Sequence, residues 1–351
     1  MDTAYLKIDS MSPDPAVIAR AGRILKEGGL VAFPTETVYG LGGDAFNASS
    51  SRRIYEAKGR PSDNPLIVHI CRFDDITRIA SNVPEAARTL ADAFWPGPLT
   101  MILPKDSALP AETTGGLDTV AVRFPSHPVA AALIDAAGGF VAAPSANRSG
   151  RPSTTSGAHC LEDLDGRVDM ILDAGEVGIG LESTIVDLTT PVPEILRPGY
   201  VTKEMLRKVL GEVETDRGLA EGSDVRPRAP GMKYRHYAPR GVLTVVEGDP
   251  GTVTSYINAR LEEARAAGKR SGVICTDETA GAYRADVVES TGARADEESA
   301  AHNLFRILRD FDARDVEVIY AEAFPEDGLG GAIMNRLLKA AGHNIVYPGK
   351  I

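Results

Sequence analysis

The sequence predicts an α/β protein of two domains, a larger one on a mixed sheet and a smaller one on a parallel sheet. Three observations carry that reading. Helical and extended apolar patterns interleave along nearly the whole chain, the order that wraps helices around a sheet. The interleaving breaks once, over 212–240, where EVETDRGLAEGSDVRPRAPGMKYRHYAPR lacks apolar periodicity and is rich in Gly, Pro and charge. With 351 residues, 43% of them hydrophobic, the chain can build more than one core. The expected organisation is therefore a domain over 1–211, a linker over 212–240 and a domain over 241–351.

In chain order, Asp14-Pro15 reads as a cap and first-turn proline, followed by Ile18, Ala21 and Leu25 at helical spacing until Gly28-Gly29. Then come a strand Leu30–Phe33, a helix Ser50–Ala57, a strand Leu66–Ile70, a helix Pro84–Trp95 and a strand Leu99–Leu103. A strand Thr119–Phe124, a helix His127–Ala137 and a strand Phe140–Ala143 lead into a polar loop. Short strands Met170–Leu172, Thr184–Leu188 and Glu194–Leu196 and a helix Thr202–Leu210 close the first domain. In the second, strands Val242–Val246, Val273–Thr276, Val287–Glu289 and Val316–Ala321 alternate with helices Thr252–Ala267, Ser299–Phe311 and Ala332–Ala341. That pattern is a small three-layer, parallel, Rossmann-like unit without a G-x-G-x-x-G or G-x-x-x-x-G-K-[ST] fingerprint.

Bulk properties exclude several classes. A formal charge of −11 argues against broad nucleic-acid binding, so contact with RNA is expected to be weak or indirect. Three scattered cysteines, Cys71, Cys160 and Cys275, fit a reducing compartment, not a disulfide framework. No secretory leader and no apolar run long enough to span a bilayer is read, so a cytoplasmic protein without a membrane partner is expected.

The chemistry concentrates in Phe33–Ile70. Lys58 and Arg60 flank one glycine just before Pro61, where a helix must stop, which gathers a point charge and a planar fork at one place. Arg123 and Arg197 also stand at strand ends, where open α/β sheets collect ligands. Each alone is most simply an ion pair; four together point to an anionic ligand. The loop Pro144–Ser153 (PSANRSGRPS) offers hydroxyls, an amide and backbone N–H groups suited to phosphate oxygens, and no nucleophile elbow. Thr35, Thr37, His69 and Leu181–Thr184 complete a polar rim. The six histidines lack metal-ligand spacing, so no protein-held metal is expected, although Mg2+ arriving with a nucleotide needs few dedicated ligands. The linker cluster Lys233–Tyr237, basic and aromatic, suits a flap over a site.

These segments resemble the YrdC/Sua5 family of threonylcarbamoyl-AMP synthases, in its long two-domain Sua5 form. The resemblance rests on PTETVYGLG (34–42), KGRPSDNPL (58–66), WPGPLT (95–100), VAVRFP (120–125), PSANRSG (144–150), ESTIVD (182–187), LRPG (196–199) and the linker PGMKYRHYAP (230–239). GLGGAIMNRLLKAA (328–341) ties the second domain more loosely to the Sua5 C-terminal domain. The resemblance implies a YrdC-like twisted sheet with a concave, positively charged cavity. It implies condensation of L-threonine, bicarbonate or CO2 and ATP to threonylcarbamoyl-AMP and pyrophosphate, with Mg2+ accompanying ATP, for the t6A modification of tRNA. A downstream threonylcarbamoyl transferase would take the product. By the same resemblance, Lys58 and Arg60 are the catalytic pair, and with Asn64, Thr119, Ser145, Asn147, Ser153, Arg197, Tyr234, His236 and Tyr237 they hold the nucleotide. Thr35, Thr37, His69, Arg123, Ala143 and Ser183 fall at the threonine. Two other readings compete. An RNA-binding module would usually be basic, and a related carbamoyl-transfer or sugar-phosphate enzyme would not depend on threonine.

Overall fold

The computed structural model describes residues 2–216 and 236–349, which fall into two compact units. The Tyr234 assignment, with Lys233 and Arg235, lies outside the described residues. The first unit covers most of the chain up to Asp216, and the second runs from His236 and also takes in Gly150–Pro152 and Ile179–Leu181.

The first unit is built on one sheet. Its strands are β1 (Ala4–Lys7), β2 (Val31–Phe33), β3 (Gly40–Asp44), β4 (Ile67–His69), β5 (Leu99–Pro104) and β6 (Thr119–Arg123). They are joined by β7 (Val141–Ala143), β8 (Met170–Asp173), β9 (Thr184–Asp187), β10 (Glu194–Arg197) and β11 (Glu214–Thr215). The order is β1-β8-β2-β3-β7-β4-β6-β5-β9-β10-β11, mixing parallel and antiparallel pairs. Helix α1 (Pro15–Lys26) starts as its sequence dictates: the Asp14 side chain accepts from Ala16 N and Pro15 opens the first turn. Helix α2 (Ala48–Lys58) is capped by Asn47 and ends at Gly59 in the left-handed conformation, φ 63° and ψ 36°. Helices α3 (Glu85–Phe94), α4 (Pro128–Ala136), α5 (Gly157–Leu164) and α6 (Lys203–Leu210) complete the unit.

The helices cover the sheet unequally, and this positions the site. Ile54 of α2, Leu90 of α3, Leu164 of α5 and Leu206 of α6 share one large core with Val68, Met101, Val122 and Val186. On the opposite face, α1 and α4 cover Val31, Phe33, Val141 and Met170. Farther along that second face, Ile67, Ile102, Ala121, Ile185 and Leu196 form a small apolar cluster that contains no helical residue. The stretch β4-β6-β5-β9 thus has a packed face and a face left free of helix.

The second unit is an all-parallel sheet of β12 (Val242–Val246), β13 (Ser271–Cys275), β14 (Val287–Ser290), β15 (Val318–Glu322) and β16 (Ile345–Val346), ordered β14-β13-β15-β12-β16. Helix α7 (Pro250–Ala266) packs Val253, Ile257 and Leu261 against Val246 and Val273. Helices α8 (Glu297–Ala313) and α9 (Gly330–Ala341) pack on one another. Among the described residues, no helix is long and apolar enough to cross a membrane.

Five elements go beyond the sequence reading: β1, β3, α5, β11 and β16. The glycines of β3 give no strand signal because glycine is depleted in strands. Here they are required by close packing: a Cβ on Gly42 would lie 2.8 Å from Val141 Cγ1 and 3.0 Å from the Phe33 ring. Helix α5 hides in a polar loop, started by Ser156, whose side chain accepts from His159 N.

Candidate active site

Strand register builds the site on the helix-free face. His69 pairs with Arg123 across β4 and β6, Arg123 with Thr100 across β6 and β5, and Thr100 with Ile185 across β5 and β9. Residues side by side on neighbouring strands share a face, so His69, Arg123 and Thr100 form one row at ~5 Å spacing. The same face carries Ile67 and Ala121, two residues back, as its apolar floor.

One end of this face is cationic. Because Ala143 of β7 pairs with Ile67 of β4, the loop after β7 leaves alongside the segment that enters β4. Lys58, placed by the end of α2, donates to Ser145 O at 2.5 Å and to Asn147 O, while Ser149 N returns a bond to Lys58 O. Arg60 donates through Nε to Asn64 O (3.2 Å) and through Nη2 to Pro65 O (3.0 Å). Ser145 Oγ donates to Asn147 Oδ1 at 2.5 Å, and Ser145 also bridges to Gly40. Lys58 and Arg60 thus clasp the crossing of two loops with heads fixed by backbone carbonyls. Among the described residues, the buried Asn64 Oδ1 has no hydrogen-bond partner.

The other end is a mixed-charge pocket. Arg123 Nη2 donates to Glu36 Oε1 at 2.7 Å and lies 3.5 Å from Thr35 Oγ1. The second Glu36 oxygen accepts from Ser126 N. Thr35 Oγ1 lies 2.9 Å from Thr37 Oγ1 and donates to Val38 O, which ties the turn together. Arg123 Nε is buried and, among the described residues, has no partner, so the fork keeps donor capacity. His69 Nδ1 lies 3.1 Å from Ile67 O. Burial, aided by the neighbouring Arg123, pushes the His69 pKa down to about 3, so the ring is neutral at ordinary pH.

A third group flanks the row. Thr100 Oγ1 lies 2.7 Å from Ser183 Oγ, and Arg197 donates to Ser183 O and Oγ at 3.0 and 3.2 Å. A β-bulge between Ile195 and Arg197 adjusts β10 there. Ser153 Oγ donates to Glu182 Oε1 at 2.5 Å. Gly199 admits no side chain: a Cβ would fall 2.6 Å from Thr184 N and 2.8 Å from Glu182 O.

Lys58, Arg60, Arg123 and Arg197 are only 2, 9, 4 and 4% exposed. Glu36 and the buried Glu182 stand among them. Fixed positive charge in so desolvated a place favours an anionic ligand. Of the other sequence-predicted residues, Thr119 sits on the same face, two residues before Ala121, and Ala143 ends β7 beside Ile67. His236 and Tyr237 belong to the C-terminal unit, where the Tyr237 ring packs 5.0 Å from Phe305. Sequence reasoning gave Glu36 and Thr100 no role, although both lie inside segments it singled out, and it placed Glu182 in the polar rim without a partner. Among the described residues, no group of three or more His, Cys, Asp or Glu could hold a metal ion.

Comparison with known proteins agrees across both units. A family model described as Telomere recombination, the Sua5/YciO/YrdC domain, matches residues 23–199, and one described as the threonylcarbamoyl-AMP synthase C-terminal domain matches residues 201–342. The chain is 49% identical to a Bacillus subtilis threonylcarbamoyl-AMP synthase over 96% of both chains. It is 48% identical to the Pyrococcus abyssi enzyme of that name, over 93% of this chain and 94% of the relative. The crystal structure of Pyrococcus abyssi Sua5 complexed with L-threonine superposes with a TM-score of 0.94 at 46% identity, covering 98% of this chain and 99% of that one.

Proposed function

The chain belongs to the two-domain, Sua5-type family of threonylcarbamoyl-AMP synthases, and on that premise we propose that it condenses L-threonine, bicarbonate or CO2 and ATP to threonylcarbamoyl-AMP and pyrophosphate. The observation that carries the reading is the helix-free sheet face with buried cations at both ends. Pro65, which anchors Arg60, lies four residues before His69 along the strand, a separation of ~13 Å. That length accommodates a phosphate group and an amino acid end to end.

At the mixed-charge end, Arg123 receives the threonine carboxylate through N–H groups not spent on Glu36, and Thr35, Thr37, Ala143 and Ser183 surround the rest. Neutral His69 adds no positive charge beside the substrate nitrogen. The amine, once deprotonated, attacks the carbon of CO2, or of bicarbonate with loss of water, to form a carbamate. A carbamate oxygen then attacks the α-phosphorus of ATP, and pyrophosphate leaves. No covalent bond to the protein is required. Lys58 and Arg60 stabilise the charge that builds on the transferring phosphoryl oxygens. Asn64, Thr119, Ser145, Asn147, Ser153 and Arg197 hold the nucleotide, with Tyr234, His236 and Tyr237 as further contacts from the linker. Burial of the row protects the carbamate, which decomposes in water. Mg2+ accompanying ATP would neutralise phosphate charge beside Lys58 and Arg60. The product, a mixed anhydride, is consumed by a threonylcarbamoyl transferase acting on tRNA in the t6A pathway, so direct tRNA contact by this acidic chain is weak or indirect.

The test is pyrophosphate release with each substrate omitted in turn. Release is expected only with L-threonine, bicarbonate and ATP together; release at the full rate without threonine would overturn the assignment.

A further inference from the structure

We propose that the C-terminal unit carries a second ligand site, a pocket for a small zwitterion of the α-amino-acid class, at the carboxyl ends of β12 and β15. This stands independently of the catalytic reading, because every residue involved lies between Val246 and Glu326.

The topology marks the place. After β12 the chain turns through α7 toward β13, and after β15 it turns through α9 toward β16, on the other side of β12. Strands β12 and β15 are neighbours, and their outgoing connections run in opposite directions across the sheet, each passing over the other's strand. Both loops leave at the carboxyl edge of the parallel sheet, the edge at which open α/β folds place their ligands. A cavity of about 290 Å³ occupies it, close to the lower end of the ~300–1,000 Å³ typical of small-molecule sites.

The lining specifies the ligand. Val246, Val253 and Phe324 give an apolar floor. Glu322, only 3% exposed, is held from both sides: Oε1 accepts from Tyr283 Oη at 2.6 Å and Oε2 from Arg294 Nη2. Arg294 also donates through Nη1 to Ala323 O at 3.3 Å, yet its side chain stays 37% exposed. Two of its five N–H groups are spent on fixing it, and the remainder present a preorganised fork. Glu322 and Arg294 cancel in charge, which leaves Glu247 and Glu326 in the lining. Among the described residues, neither of those side chains has a hydrogen-bond or ion-pair partner.

A phosphate dianion would meet both carboxylates, and the nearby start of α7 is already capped by Asp249, which accepts from Thr252 N. A plain amine would face Arg294. A molecule with a carboxylate for Arg294, an ammonium for Glu247 or Glu326 and an apolar side chain for the floor satisfies all three, and an amino acid fits the volume.

The experiment is calorimetric titration of the full chain with the L-amino acids other than threonine, repeated with the matching N-acetyl acid and decarboxylated amine. The Arg123→Gln protein is titrated in parallel to remove binding in the N-terminal unit. At least one amino acid is expected to bind with a Kd near or below about 1 mM in both proteins, and both charge-deleted analogues about 10-fold more weakly. Arg294→Gln should weaken it about 10-fold or more, and the double variant Glu247→Gln/Glu326→Gln several-fold. The double variant disrupts no observed bond, so it decides the matter if Arg294→Gln fails to fold. Absence of binding, binding lost in Arg123→Gln, binding unmoved by the double variant, or equal affinity for either analogue would each overturn the proposal.

Discussion

Replacing Arg123 with Gln separates threonine recognition from fold maintenance. The side chain is 4% exposed and makes one 2.7 Å charge-assisted bond to Glu36. Two effects follow. On the proposed placement, threonine loses the fork for its carboxylate; at ~1.5–3 kcal/mol per charge-assisted bond, losing two costs about 3–6 kcal/mol, or ~10²–10⁴-fold in kcat/KM for threonine. Separately, Glu36 is left half-buried with Ser126 N as its remaining bond, which destabilises the protein by less than the ~3–5 kcal/mol of a fully buried broken pair because solvent reaches its 14% exposed side chain. The double variant Arg123→Gln/Glu36→Gln should recover most of the stability in urea unfolding and none of the threonine affinity. KM for ATP should move by less than about 3-fold in both variants, since the proposed nucleotide end lies ~13 Å away. If the double variant restored threonine use along with stability, Arg123 would be a structural cation and the placement of threonine would be wrong.

Other perturbations test other parts of the site. Lys58→Ala and Arg60→Ala should each lower pyrophosphate release at saturating substrates by tens-fold or more, a few kcal/mol at the transition state; wild-type turnover would remove them from the chemistry. Gly199→Ala drives a Cβ into Thr184 N and Glu182 O, so it should cost about 1–3 kcal/mol in thermal or urea unfolding and raise KM through Ser183; an unchanged midpoint would contradict the packing argument. His69 adds a pH dependence. Folded, its pKa is about 3 against 6.5 ordinarily, so between those values the unfolded chain binds the extra proton. Its contribution is complete above pH 6.5 and is lost as pH falls, with a slope of up to about 1.4 kcal/mol per pH unit. His69→Asn should flatten the stability profile between pH 4 and 6 by about that slope; a profile identical to wild type would show that His69 titrates normally.

Much of this was legible in the chain because local rules govern it. The Lys58-Gly59-Arg60-Pro61 run sets two cations at a helix end, and the helix does stop at Lys58 with Gly59 left-handed. The two α/β sheets follow from interleaved periodicities, and the families match on both sides of position 200. What was not legible depends on pairing between distant strands. Nothing near Thr100 in sequence shows that it stands between Arg123 and Ile185. Glu36 shows no role in the sequence because its partner is 87 positions away. The strand Gly40–Asp44 hid behind glycines that the Phe33 ring and Val141 demand. In the second unit, Arg294 follows β14 and Glu322 ends β15, and they become a pair only when β13 is laid between those two strands.

The central claim, that buried cations on one sheet face bring three anionic reactants together, is tested most directly with labelled bicarbonate. In wild-type protein the label should enter a nucleotide product in one-to-one ratio with pyrophosphate, only when L-threonine and ATP are both present, and Lys58→Ala and Arg123→Gln should suppress both together. Pyrophosphate released without incorporation of the label would contradict it.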